Sequence, residues 1–148
     1  MEIWKNIEGY EGLYQISNYG RVKSLKRVIK RKNSLYPVKE KILKKRISVL
    51  GYLVVTLSKD KKPKTYNLHQ LLAMSFLNHK PNKYNVVVDH IDNDKLNNDL
   101  SNLQLISHRK NISKDKKGKS KYTGVYWRKD KKRWCAQIGV KFKRFHLG

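Results

Sequence analysis

Cysteine is almost missing from this chain. One residue, Cys135, in 148 positions excludes an internal disulfide framework and any multi-cysteine zinc site. It stands between Trp134 and Ala136 in a strand-like run, the setting of a buried structural thiol. Acid is scarce too. The chain has 11 Asp+Glu against 35 Lys+Arg, a formal net charge of +24. No run of about 18 apolar residues is present, so no helical membrane span is expected. The opening MEIWKNIEGYEG lacks the apolar centre of a signal peptide, so the expectation is a soluble intracellular protein. A basic amphipathic helix of useful length is also lacking, which argues against a membrane-surface role.

What is present is charge and aromatics. A balance this basic concerns partners, not fold, and the usual partner is nucleic acid. Hydrophobic residues make up 39%, enough for small cores and too few for one large one. The length allows one domain or two to three small modules.

Three segments follow along the chain. Residues 1–66 read as β-rich. Residues 14–16 and 21–23 alternate around Ser17-Asn18-Tyr19-Gly20 as strand, turn, strand, and Gly9 and Gly12 permit tight turns on the approach. Residues 26–32 are so basic that they read as a solvated loop or a phosphate-facing edge. Residues 42–47 and 52–57 are further strands separated at Gly51, 60–63 is a turn, and a short strand restarts at Thr65-Tyr66.

Residues 67–114 carry the chemistry. Leu68, Leu71, Leu72 and Phe76 follow helical spacing, with Asn67 as the N-cap and Pro81-Asn82 ending the helical region. His79 at the helix end is expected in solvent. Residues 86–88 form a β-branched strand leading into Asp89 and His90, 93–98 a polar loop, and 103–106 the returning strand. Ser107 then caps a helix through Asn111. An Asp-His pair at a strand end can set a metal ligand and a general base beside one phosphodiester. Imidazole trades protons near neutral pH and can activate the attacking water. Asp92, Asp94, Asn97, Asn98 and Asp99 lack the glycine and terminal glutamate of an EF-hand, so they are read as shaping the loop.

Residues 115–120 read as a flexible basic linker. Residues 121–148 then give three antiparallel strands, near 125–127, 134–138 and 142–147, alternating basic and aromatic side chains. Such a ribbon can enter a groove with arginines on phosphates or guanine edges.

These motifs together resemble one family. VVVDHIDNDKLNNDLSNLQLISHRKN, at 86–111, resembles the ββα-metal core of HNH endonucleases of the phage and intron homing group. LHQLLAMSF resembles the helix before that core. WKNIEGYEGLYQISNYGRVKSL, at 4–25, resembles their nuclease-associated N-terminal module. Residues 121–148 resemble the three-stranded part of the ethylene-response-factor DNA-binding domain. The expected fold is α+β: a β-rich module at 1–66, a ββα-metal core at 67–114, a linker at 115–120 and a three-stranded antiparallel sheet at 121–148. The helix that normally follows that sheet is not in the sequence, so the module is either shortened or buries its apolar face elsewhere.

The resemblance implies roles. His90 is the general base, and Asn102 orients it and steadies its loop. Asp89 and Asn111 hold one divalent ion, Mg²⁺ or Mn²⁺. One carboxylate and one amide oxygen leave open positions for phosphate and water, as Mg²⁺ prefers. An asparagine carbonyl accepting from His90 Nδ1–H would leave Nε2 as the base. DNA contacts are expected from Arg21, Lys23, Lys26 and Arg27, and from Tyr126, Arg128, Arg133, Trp134, Lys143 and Arg144. His69, at the start of the preceding helix, is expected to pack or hydrogen-bond there. The expected activity is metal-dependent nicking of duplex DNA at a long site, by a monomer without membrane or protein partner, in the cytoplasm of a bacterial or phage-infected cell. The alternatives are a DNA-binding regulator on an inactive HNH scaffold and a basic RNA-binding protein.

Overall fold

A computed structural model describes residues 1–81, 85–114, 120, 122, 124–140 and 143–147. Two compact units, Met1–His108 and Arg109–Gly148, divide the chain, and each is described by itself.

In the first unit, strands β1 (Trp4–Asn6), β2 (Tyr14–Ser17), β3 (Val22–Ser24) and β6 (Lys41–Ile42) form an antiparallel sheet in the order β1-β2-β3-β6. A separate hairpin pairs β4 (Arg27–Arg31) with β5 (Ser34–Val38). A second antiparallel sheet joins β7 (Arg46–Ile47), β8 (Leu53–Lys59) and β9 (Lys62–Asn67). Helix α1 (Leu68–Phe76) follows β9 directly. Strands β10 (Val86–His90) and β11 (Leu103–Ser107) then pair as an antiparallel hairpin.

The core explains this arrangement. Alternation in β2 and β8 turns Tyr14, Ile16, Val55 and Leu57 inward, and helical spacing puts Leu68, Leu71 and Leu72 on one face of α1. These seven, with Ile7, Val22 and Leu103, make one buried cluster. Residue 20 shows why the β2–β3 turn ends in glycine. Its φ is +67°, and a Cβ there would lie 3.4 Å from the Asn98 carbonyl oxygen and from the Leu68 and Leu72 side chains. The turn thus packs under the loop that follows β10.

Several sequence expectations need correction. Most of 26–32 is strand, since cross-strand pairing with 34–38 outweighs its charge. The single strand expected at 42–47 is two short strands in different sheets. Lys62 and Pro63 belong to β9; the turn is Asp60-Lys61, both at positive φ, and it leaves Lys62 opposite Lys59. Asn67 holds the N-cap position of α1 but makes no side-chain cap bond. The helix stops at Phe76, well before Pro81, and His79 folds back beneath it: its N–H donates to the Ala73 carbonyl at 3.0 Å and it is buried. Ser107 ends β11 and directly precedes the helix at His108–Ser113, the capping position expected of it.

The second unit contains nearly all of α2 (His108–Ser113), and a three-stranded antiparallel sheet of β12 (Val125–Arg128), β13 (Arg133–Val140) and β14 (Lys143–Leu147). Cys135 is buried, as a structural thiol should be. Phe142 and most of the expected linker lie outside the described residues.

Candidate active site

The site is built at the end of β10. Asp89 lies opposite Gln104 and His90 opposite Leu103, which anchors His90 over the core. Both are buried, at 7% and 5% exposure. Gln104 Nε2 donates to Asp89 Oδ2 at 2.7 Å and fixes the carboxylate's direction.

The loop after His90 is cross-tied by its own side chains. Asp92 and Asn102 bond reciprocally: Asp92 N–H donates to Asn102 Oδ1 at 3.1 Å, and Asn102 Nδ2 donates to Asp92 Oδ1 at 2.8 Å. Asn102 Nδ2 also donates to the Asn97 carbonyl at 2.9 Å, and Asn97 Nδ2 donates to Asp92 Oδ2 at 2.7 Å. These amides hold the Asp92 carboxyl below its ordinary range, Asn102 contributing most and Asn97 next. Ile91 N–H donates to the Asn102 carbonyl at 2.8 Å, so the loop is clamped next to His90.

The imidazole of His90 meets a different asparagine from the one the family pattern implied. Asn98 Oδ1 lies 3.4 Å from His90 Nε2, a long hydrogen bond. Asn98 Nδ2 donates to the Lys95 and Leu96 carbonyls at 3.3 and 3.1 Å, which fixes the amide so that oxygen faces the ring. The network therefore assigns the proton to Nε2, and a neutral ring then carries its lone pair on Nδ1. Asn102 steadies the loop, while Asn98 aligns the ring. The loop-shaping reading of Asp92, Asp94, Asn97 and Asp99 agrees with their bonds. Nothing in the sequence separated Asn98 from these neighbours.

Two rings from other elements pack around His90. His69 of α1 meets His90 edge-on at 5.1 Å between centroids, and Tyr52 stacks on His90 at 6.2 Å and tilts against His69 at 5.0 Å. Burial pushes the His69 imidazole down from 6.5 to about 4, with His90 beside it adding to the effect. His69 is thus a neutral ring at working pH, and its buried Nδ1 has no hydrogen-bond partner. It supports the site by packing.

Oxygen donors such as the Asp89 carboxylate suit a hard divalent cation. Among the described residues no group of three or more His, Cys, Asp or Glu could hold a metal, so any ion here must rely on one carboxylate with amide and external oxygens. Asn111 lies on α2 in the second unit.

The expected DNA contacts divide into engaged and exposed groups. Arg21 is salt-bridged to Glu2 and lies over Trp4. Lys23 Nζ sits 4.4 Å from the Trp4 ring and 3.9 Å from Glu40. Arg27 Nη1 donates to Ser24 Oγ at 2.9 Å and to the Leu25 carbonyl at 3.1 Å, a tie that secures the base of the β4–β5 hairpin. Lys26 is exposed. In the second unit Arg128 pairs with Asp130 at 2.6 Å, Arg133 is exposed opposite it, and Tyr126 is half-buried. Trp134 packs edge-on against Trp127 at 5.5 Å while staying 48% exposed. Lys143 and Arg144 lie in β14, with side chains outside the described set.

This fold and spacing have known counterparts. Residues 68–112 match the HNH endonuclease family model, and residues 2–58 match the NUMOD4 motif. The centre of the chain is therefore similar to HNH endonucleases, and the segment before it to the NUMOD4 motif. The DNA endonuclease I-HmuI of Bacillus phage SP01 is 38% identical over 109 residues, which is 74% of this chain and 55% of that protein. Two uncharacterized HNH endonucleases of Acanthamoeba polyphaga mimivirus are 37% and 34% identical over 74% and 75% of this chain, and 28% and 25% of their own lengths. A solved structure, described as DNA binding and cleavage by the HNH homing endonuclease I-HmuI, matches with a TM-score of 0.60 at 36% identity, over 76% of this chain and 56% of that one. The chain thus spans about half of I-HmuI and about a quarter of the mimiviral proteins.

Proposed function

We propose that this protein is a metal-dependent DNA endonuclease of the homing type, which hydrolyses one phosphodiester per site and so nicks duplex DNA. The observation that carries the reading is the Asp89–His90 pair, buried at the end of β10 and braced by an asparagine-tied loop inside a matched HNH domain. Such bracing is of use to a general base, whose ring must hold its angle to water and phosphorus within narrow limits. His90, its ring set by the contact of Nε2 with Asn98, would take the water's proton. Asp89 and Asn111 would hold a divalent cation, Mg²⁺ or Mn²⁺, whose charge would offset that developing on the phosphate and the leaving oxygen.

The duplex would be gripped by the basic flanks, with 1–66 and 121–148 as DNA-binding modules before and after the core at 67–114 in the chain. Of the N-terminal cations, Lys26 and its exposed neighbours are the better candidates, because Arg21 and Arg27 have internal partners. Two unlike flanking modules suit a monomer on a long, asymmetric target. The reading is tested by nicking of supercoiled plasmid with Mg²⁺, with chelator, and with His90→Ala. Metal-dependent nicking lost in the variant is the expected result. Equal activity in variant and wild type, or none in either, would sink it. Preference for structured RNA over duplex DNA without cleavage would favour the RNA-binding alternative.

A further inference from the structure

We propose that Val49 and Leu50, at the tip of the β7–β8 hairpin, form an apolar wedge that inserts between base pairs of duplex DNA beside the active site. The proposal rests on the endonuclease reading and adds a DNA contact which that reading does not require.

The tip is rigid. Gly51 N–H donates to the Ser48 carbonyl at 2.9 Å, Ser48 N–H to the Tyr52 carbonyl at 2.8 Å, and Tyr52 N–H to Ser48 Oγ at 3.2 Å. Gly51 has φ +81°, so this is a short hairpin loop closed by a left-handed glycine. Such loops favour Asn, Asp, Ser or Gly at their tips. Here Val49 is 104% exposed and Leu50 70%, with Ile47 at 63% just before them. Folding gains nothing from apolar side chains held in water, and a rule of turn chemistry broken without structural benefit points to function.

Position and charge say what the tip meets. Tyr52, just beyond Gly51, stacks on His90. Lys95, from the loop after His90, lies with Nζ 4.8 Å from the Tyr52 ring centre and donates to the Leu50 carbonyl at 3.1 Å. The tip is therefore pinned to the loop that carries the site. Lys44, Lys45 and Arg46 precede it in the chain. An apolar point flanked by cations complements a duplex, whose stacked bases lie between two rows of phosphates. Two side chains are too small a patch for a stable protein interface. Apolar wedges inserted at a base step unstack and kink DNA, and the bend brings further backbone within reach of the protein. Next to His90, a kink of that kind would present one strand's phosphate to the site.

The test uses the full chain. Closed circular plasmid is relaxed by a type IB topoisomerase in chelator, with and without the protein, so that unwinding is trapped as a change in linking number. Wild type should shift the topoisomer distribution in proportion to the protein bound. Val49→Ser/Leu50→Ser should bind the same plasmid within about twofold, lose the shift, and nick about tenfold more slowly once Mg²⁺ is supplied. Val49→Ile/Leu50→Met, which stays apolar, should keep both. A serine pair that shifts and nicks like wild type would overturn the wedge and leave the endonuclease reading intact. So would an apolar pair that loses the shift as fully as the serine pair. Wild type that neither binds nor nicks plasmid would overturn both.

Discussion

Two antiparallel hairpins in the first unit, β4–β5 and β10–β11, share strand length and pairing and differ in nearly everything else. Each strand has five residues in continuous register. The β10–β11 pair lies against α1, buries Asp89, His90, Leu103 and Ile106, and carries a loop closed by reciprocal side-chain bonds. The β4–β5 pair leaves Val28, Leu35 and Tyr36 exposed at 63%, 69% and 49%, and is tied at its base through Arg27. An isolated two-stranded hairpin is marginal in water. The contrast teaches that local pairing makes either ribbon, and that burial against the core sets one of them apart.

Four measurements would break or sharpen that contrast. The largest effect is expected at His90. His90→Ala should reduce plasmid nicking by about 10²–10⁴ while leaving duplex affinity in a gel-shift assay unchanged. A comparable loss of nicking from Val28→Ala would erase the distinction between the hairpins. Next, Leu72→Ala beneath the site should cost about 2–5 kcal/mol in urea denaturation, whereas Val28→Ala should change stability by no more than about 0.5 kcal/mol.

The third is a pH effect. The folded state holds His69 near 4 against 6.5 for the free side chain, so the unfolded chain binds more protons between these values. Stability should therefore fall as pH drops from 6.5 toward 4, by on the order of 3 kcal/mol in total. His69→Phe, which keeps an aromatic ring against His90, should flatten the profile across that window. An unchanged slope would place the titration elsewhere. The smallest effect concerns the exposed ribbon. Lys26→Gln and Lys30→Gln should each lower the slope of log affinity against log salt by about 1. Arg21→Gln should change it less, because Glu2 already engages that guanidinium.

Much of the first unit was legible from residue order because its signals are local. Leu68, Leu71 and Leu72 spell one helical face, and the valines of 86–88 spell the strand that delivers Asp89 and His90. The errors came where distant partners decide. Residues 26–32 look like a loop until 34–38 pairs with most of them, and 42–47 looks like one strand until its two ends join different sheets. His79 looks like a surface residue until the chain after α1 turns back on Ala73. Tyr52 carried no sequence signal for the site, since it stands 38 positions from His90 and meets it only when the β7–β9 sheet packs beside α1.

Residue types and spacing alone determined the strong positive charge of this chain, the placing of Asp89 and His90 at a strand end, and the helix that precedes the strand–loop–strand there. Tertiary structure alone decided which asparagine faces the imidazole, which ring nitrogen keeps its proton, and which arginines are already spent on internal partners. The reason is physical. Charge and periodicity are properties of a chain, but a hydrogen bond depends on where two groups stop in space. Asn97 and Asn98 are adjacent and chemically identical, and only the folded loop turns one toward Asp92 and the other toward His90.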